Sequence, residues 1–231
     1  ATLVNTGQRL VLIDSGNGEM GASGTGRLLA NLQVAGYAPE QIDLVIVSHF
    51  HGDHINGIRR KDGSATFTNA EIMVPEAEWT FWMDDARMQA APEAMQAGFK
   101  AVRRVFGPIA QEVTPYAGEK ELATGITAMP AHGHTPGHTV FVVGGSGADR
   151  LLVWSDTTNK PELFVRNPGW HPVFDMDADQ AEATRRRLLD MAASERMRVA
   201  GYHFPFPATG FIAREETGYR FVPAFWQPQQ G

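Results

Sequence analysis

Apolar positions along the chain change period repeatedly, and the changes mark out its elements. Two short apolar runs, residues 1–5 and 9–13, flank Thr6-Gly7-Gln8 and predict a β-hairpin. After a Gly-rich turn over residues 14–26, positions 27–35 have helical spacing and stop at Gly36, where a left-handed cap carries no Cβ penalty. The β-branched run Asp43-Leu44-Val45-Ile46-Val47 predicts a buried strand that ends directly at Ser48 and His49. Residues 71–74 read as a strand, 75–83 as a helix opened by proline, and 92–106 as a longer helix stopped by Gly107-Pro108. Three short strands, 125–131, 139–143 and 150–154, are parted by Gly-rich turns; an amphipathic helix over 177–193 and strands over 198–202 and 219–222 follow. Strands that pair both locally and across helices predict a layered α+β fold with helices covering sheets.

Composition narrows the function. The 231 residues are 43% hydrophobic and 20% charged, enough for one packed core, so a single domain over 1–231 is expected. A net charge of −6 gives no electrostatic footing for nucleic acid or an anionic membrane surface, which leaves a small-molecule substrate as the expected partner. There is no apolar run near the length of a spanning helix and no basic segment followed by an apolar one at the start; a soluble chain is expected, periplasmic, secreted or cytoplasmic. With no cysteine, thiolate chemistry is absent and metal binding falls to His and carboxylate.

The candidate chemistry is concentrated in Ser48-His49-Phe50-His51-Gly52-Asp53-His54, which holds three of the chain's eight histidines at the end of a predicted strand. A tight loop offers too little cover to bury three imidazoles and a carboxylate as core. His49 and His51, two apart, can address one cation, while Asp53 and His54 face a neighbouring position; Gly52 removes a Cβ where a sharp turn is expected. Two cations about 3.5–4 Å apart need more ligands than one loop supplies. His134, Asp156 and His203 each follow a β-like run and complete the set, although singly each would read as a turn residue.

The motif His49-x-His51-x-Asp53-His54 resembles the HxHxDH signature of metallo-β-lactamase-fold hydrolases, and the resemblance runs along nearly the whole chain. Segments such as LVNTGQRLVLIDSGNG, AGYAPEQIDLVIVSHFHGDHINGI, AHGHTPGHT, VWSD and FDMDADQAEATRRRLL resemble the methyl parathion hydrolase group and its quorum-quenching lactonase relatives. The resemblance implies a four-layer αββα sandwich with the metals at the open edge of two sheets. It implies His134 as the third ligand of the first metal, Asp156 as the carboxylate bridging both, and His203 as the last ligand of the second. Family members carry several tens of residues before the segment like LVNTG, including the first strands; the resemblance therefore implies either a partner chain, such as a second copy in a homodimer, that covers the exposed sheet edge, or a trimmed sequence. Asp156 and the absence of Cys argue against β-lactam hydrolysis, and His51 stands where diiron relatives carry Glu.

A water held between two such cations has its pKa lowered to about 7, giving a hydroxide nucleophile at neutral pH without Ser or Cys. Asp53 is the candidate to receive or steer its proton and Asp156 to hold the cations at working distance. The expected metals are two zinc ions, with iron, manganese or cobalt admitted by the same ligands. Asp14 would hydrogen-bond a ligand imidazole, and His138 joins it among the residues expected to support the ligands. Trp79, Phe81 and Trp82 cannot all face one side of a helix, so at least one should reach solvent or a substrate pocket; Trp82 is the first choice. Arg185-Arg186-Arg187 reads as a solvated helix face. The expected activity is hydrolysis of a lactone or an organophosphate triester. The alternatives are a metal-stabilised scaffold without catalysis and, less favoured, a β-lactamase or nuclease of the same fold.

Overall fold

The computed structural model describes residues 1–145 and 149–225. It divides into two compact units, Ala1–Ala117 and Gly118–Gly231, each built on one sheet.

In the first unit the elements are β1 (Thr2–Asn5), β2 (Leu10–Ile13), α1 (Leu28–Val34), β3 (Leu44–Ile46), α2 (Gly52–Ile55), β4 (Glu71–Pro75), α3 (Glu76–Trp82), α4 (Asp85–Ala90), α5 (Glu93–Phe106) and β5 (Val113–Tyr116). The strand order is β1-β2-β3-β4-β5, with β1 and β2 forming the antiparallel hairpin and the other pairs parallel. Val11 to Ile13 and Leu44 to Val47 are fully buried, the reason their sequence is continuously apolar instead of alternating. Helix α5 buries Phe99, Val102, Val105 and Phe106, one stripe at helical spacing, and Phe106 stacks on Phe50 of the candidate loop at 4.5 Å between ring centroids. Burial of one such aromatic contributes about 1.5–3 kcal/mol.

The second unit comprises β6 (Lys120–Ala123), β7 (Ile126–Pro130), β8 (Thr139–Val143), β9 (Leu151–Val153), a π-helical turn (Pro161–Val165), α6 (Ala178–Ser194), β10 (Arg198–Ala200), β11 (Thr209–Arg214) and β12 (Tyr219–Pro223). Strands run in the order β12-β11-β10-β9-β8-β7-β6; β9 and β10 are parallel and every other pair antiparallel. The buried cluster contains Ala131, Val140, Leu152, Trp154, Leu188, Leu189, Ala192, Val199 and Ile212 from the sheet and α6.

The predicted elements occur with ends shifted by a residue or two. Strands β5, β6 and β11 and helices α2 and α4 were not predicted. The arginine run is a correction. The buried residues of α6 are Ala181, Arg185, Leu188, Leu189 and Ala192, a single stripe in which Arg185 occupies a core position and is fully buried. Neighbours on a helix point about 100° apart, so three consecutive arginines cannot share a solvated face. Arg186 and Arg187 remain exposed.

Candidate metal centre

Strand register brings the candidate residues to sheet edges. In the first unit Ile13 pairs with Ile46 across parallel strands β2 and β3, so the residues leaving those strands, Asp14 and Ser48-His49, emerge side by side. Asp14 accepts three hydrogen bonds: Oδ1 from the Ser48 N–H (2.7 Å), Oδ2 from the Ser48 hydroxyl (2.7 Å) and from His54 Nδ1 (2.9 Å). Since the Ser48 hydroxyl donates its proton to Asp14, its lone pair is what faces His49 Nδ1 at 3.0 Å. One buried carboxylate therefore orients His54 directly and His49 through Ser48. Both rings then carry their proton on Nδ1 and their lone pair on Nε2, the arrangement a metal-binding imidazole needs.

Gly52 behaves differently from expectation. It opens the one-turn helix α2, and an added Cβ would meet only the Asn56 side chain, at 2.8 Å. The turn is made by the start of a helix, which places Asp53 and His54 on successive helical positions. A further residue, Glu78, is decisive here and was not singled out from the sequence. Its fully buried carboxylate accepts from the Phe50 N–H (2.8 Å), between two candidate ligands, and from the Trp82 indole N–H (3.0 Å). Tyr116 donates its hydroxyl proton to the Val47 carbonyl (2.7 Å) and fixes the strand end just before the loop.

In the second unit Val153 pairs with Ala200 across parallel strands β9 and β10, and Asp156 and His203 each lie three residues beyond. Equal offsets from a parallel register put them together: His203 Nε2 is 3.1 Å from Asp156 Oδ2. The turn 131–138 between β7 and β8 opens at the same edge and carries His134, whose Nε2 lies 3.5 Å from the same Asp156 oxygen. His134 Nδ1 is 2.9 Å from Asp175 Oδ1, which again leaves Nε2 as the lone-pair atom. His138 donates from Nδ1 to the Ala131 carbonyl (2.8 Å) and accepts the Asp156 N–H at Nε2 (3.1 Å), so it fixes the backbone of Asp156. The turn rests on α6. An added Cβ on Gly133, at φ 125°, would sit 2.2 Å from the Ala181 nitrogen, so only glycine allows this approach.

His132, half-buried, has its pKa pushed down by burial, and its carbonyl accepts from the Thr184 hydroxyl. Outside glycine, positive φ among the described residues occurs at Asp14, Ser155, Arg196, His203 and Ala208. Asp14, His203 and Ser155, which precedes Asp156, belong to the candidate site, and such backbone costs on the order of 1–3 kcal/mol unless its surroundings hold it.

The expectation for Trp82 is corrected. It is 4% exposed and packs on Phe99, with ring centroids 4.8 Å apart, while its indole N–H holds Glu78. The three-aromatic argument holds for its neighbours, since Trp79 and Phe81 keep partial exposure.

The donor chemistry of both units fits a cation. In the first unit the lone pair of His54 Nε2 faces Asp53 Oδ2 at 3.6 Å, and in the second that of His134 Nε2 faces Asp156 Oδ2 at 3.5 Å. Two acceptors so close repel unless positive charge lies between them. Five imidazoles and two carboxylates, with no thiolate in the chain, suit zinc and also admit iron, manganese or cobalt.

Comparison with known proteins extends this picture. The profile described as the Metallo-beta-lactamase superfamily matches residues 1–203. The chain belongs to the metallo-beta-lactamase superfamily. Among related proteins, an N-acyl homoserine lactonase of a Bacillus species is 24% identical over 199 residues, covering 86% of this chain and 67% of that protein. Two solved structures are each 30% identical with a TM-score of 0.90, over 98% of this chain and 79% of the matched chain. One is the hydrolase AbOPH of the beta-lactamase superfamily, and the other is AidC, a dizinc quorum-quenching lactonase in complex with the product N-hexanoyl-L-homoserine. Two sheets with their helices agree with the metallo-beta-lactamase fold expected from the sequence. Among the described residues no helix is long and apolar enough to cross a membrane.

Proposed function

We propose that this chain is a dinuclear metal-dependent hydrolase that opens a lactone ring, with acylated homoserine lactones as the substrate class. The proposed ligands for the divalent cations, with zinc as the first choice, are His49, His51, Asp53 and His54 in the first unit and His134, Asp156 and His203 in the second. The observation that carries the reading is the repeated facing of an imidazole lone pair and a carboxylate oxygen, 3.6 Å apart at His54 and Asp53 and 3.5 Å at His134 and Asp156. Relatedness to dizinc AidC and to the Bacillus lactonase supports the substrate class.

Bound divalent cations supply an acidified water and a Lewis-acidic partner for the substrate carbonyl oxygen. The protein's own residues do the rest. Asp14 and Asp175 hold His54 and His134 as Nδ1–H tautomers, so that their Nε2 atoms are available as ligands. Asp53, whose side chain is 34% exposed against 4% for Asp156, is the carboxylate open enough to take a proton from water and return it to the ring oxygen as the carbon–oxygen bond breaks. The product carries a new carboxylate and a new hydroxyl. Trp79 and Phe81, half-buried in α3, supply apolar surface for an acyl chain.

The test measures metal content beside turnover of an acyl homoserine lactone and of an aryl phosphotriester, after reconstitution with defined metals. About two metals per chain with lactone turnover is the expected result. Stoichiometric metal without turnover of either ester would instead support a scaffold, and faster phosphotriester turnover would move the substrate class to organophosphates.

A further inference from the structure

The least expected charge in the second unit is the guanidinium of Arg185. It is 0% exposed, in the apolar stripe of α6, where an arginine is tolerated only if every donor finds an acceptor. Its Nε donates to the Thr157 carbonyl (3.0 Å), Nη1 to the carbonyls of Pro168 (2.8 Å) and Trp170 (2.9 Å), and Nη2 to Asp175 Oδ2 (2.8 Å). The other oxygen of Asp175, whose side chain is 1% exposed, takes His134 Nδ1. Thr157 follows Asp156 in sequence. A single side chain thus reaches the supports of two candidate ligands and both ends of the segment between them.

We infer that Arg185 is a positioning residue for metal binding, which acts on His134 through Asp175 and on Asp156 through the Thr157 backbone. The inference rests on the metal-centre reading above. Its chemistry is directional. Arg185 donates to one oxygen of Asp175, and the other oxygen accepts from His134 Nδ1–H. That fixes the tautomer with the Nε2 lone pair outward. Lysine keeps the charge but loses the planar fork that reaches three carbonyls and a carboxylate at once. In Asp175→Asn the amide group must face either Arg185, donor against donor, or His134 Nδ1, which drives the ring proton to Nε2 and removes the ligand atom.

The experiment compares wild type, Arg185→Lys and Asp175→Asn as purified full chains, reading metal affinity by chelator competition, Tm, and kcat and KM separately. The expected result is a loss of roughly 10–100-fold in affinity of the more weakly held metal in both variants. It should come with a fall in kcat at limiting metal that excess metal partly restores, and with little change in KM. Wild-type metal affinity in folded variants, with only Tm lowered, would overturn the inference and leave Arg185 as packing. Should Arg185→Lys not fold, Asp175→Asn decides, because it leaves the three carbonyl contacts of Arg185 in place. Wild type that binds no metal would instead overturn the metal-centre reading itself.

Discussion

The two units hold their candidate ligands by opposite strategies. The first places four within six consecutive residues, on one loop that begins where β3 ends, and supports them with Asp14 and Glu78. The second collects three from positions 134 to 203, on separate turns, and aligns them by strand register, His138 and the Arg185–Asp175 pair. A compact motif needs few supports because the chain itself keeps its members together. A dispersed one needs a buried framework, and that framework is where unexpected charge accumulates.

Substitutions test this contrast. The largest effect is expected at Asp53, where Asp53→Ala should lower kcat for a lactone by about 10²–10⁴-fold with Tm almost unchanged, since the side chain is partly exposed. Next, Asp14→Ala should weaken metal binding roughly 10–100-fold in chelator competition. Because Asp14 serves His54 directly and His49 through Ser48, the loss should extend to both metals; an effect on one alone would show that the Ser48 link is idle. Glu78→Leu leaves the buried Phe50 N–H and Trp82 indole N–H without their acceptor, at a cost of about 1–3 kcal/mol in urea unfolding, and Glu78→Gln should cost less. Smallest is Trp82→Phe, expected to cost about 1 kcal/mol with KM for a long-chain lactone unchanged. Phe81→Ala, in contrast, should raise that KM several-fold while stability changes less.

These differences follow what a sequence can express. The loop after β3 was legible because three imidazoles and a carboxylate in a row have no bland explanation, and His134, Asp156 and His203 because each closes an apolar run. Strand β11, Thr209–Arg214, was not legible, since its buried positions, Gly210 and Ile212, form no apolar run, and β5 carries Pro115. Glu78 reads as one more acid in Glu76-Ala77-Glu78, and only its contacts with Phe50 and Trp82 distinguish it. Arg185 was hidden by its neighbours: a charge run suggests solvent, although the spacing of Ala181, Leu188 and Ala192 already assigned its position to the core stripe. The choice of Trp82 as the exposed aromatic failed for a similar reason, because its burial depends on α5, which lies more than ten residues further on.

The left-handed backbone at Asp14 and His203 affects how these positions can be probed. Alanine there would combine two perturbations, a missing side chain and a methyl-bearing residue forced into torsion angles it resists. Asparagine tolerates those angles better than most residues. It is therefore the cleaner replacement at both sites, and any gap between the alanine and asparagine variants would measure how much conformational tension the chain accepts to aim a side chain.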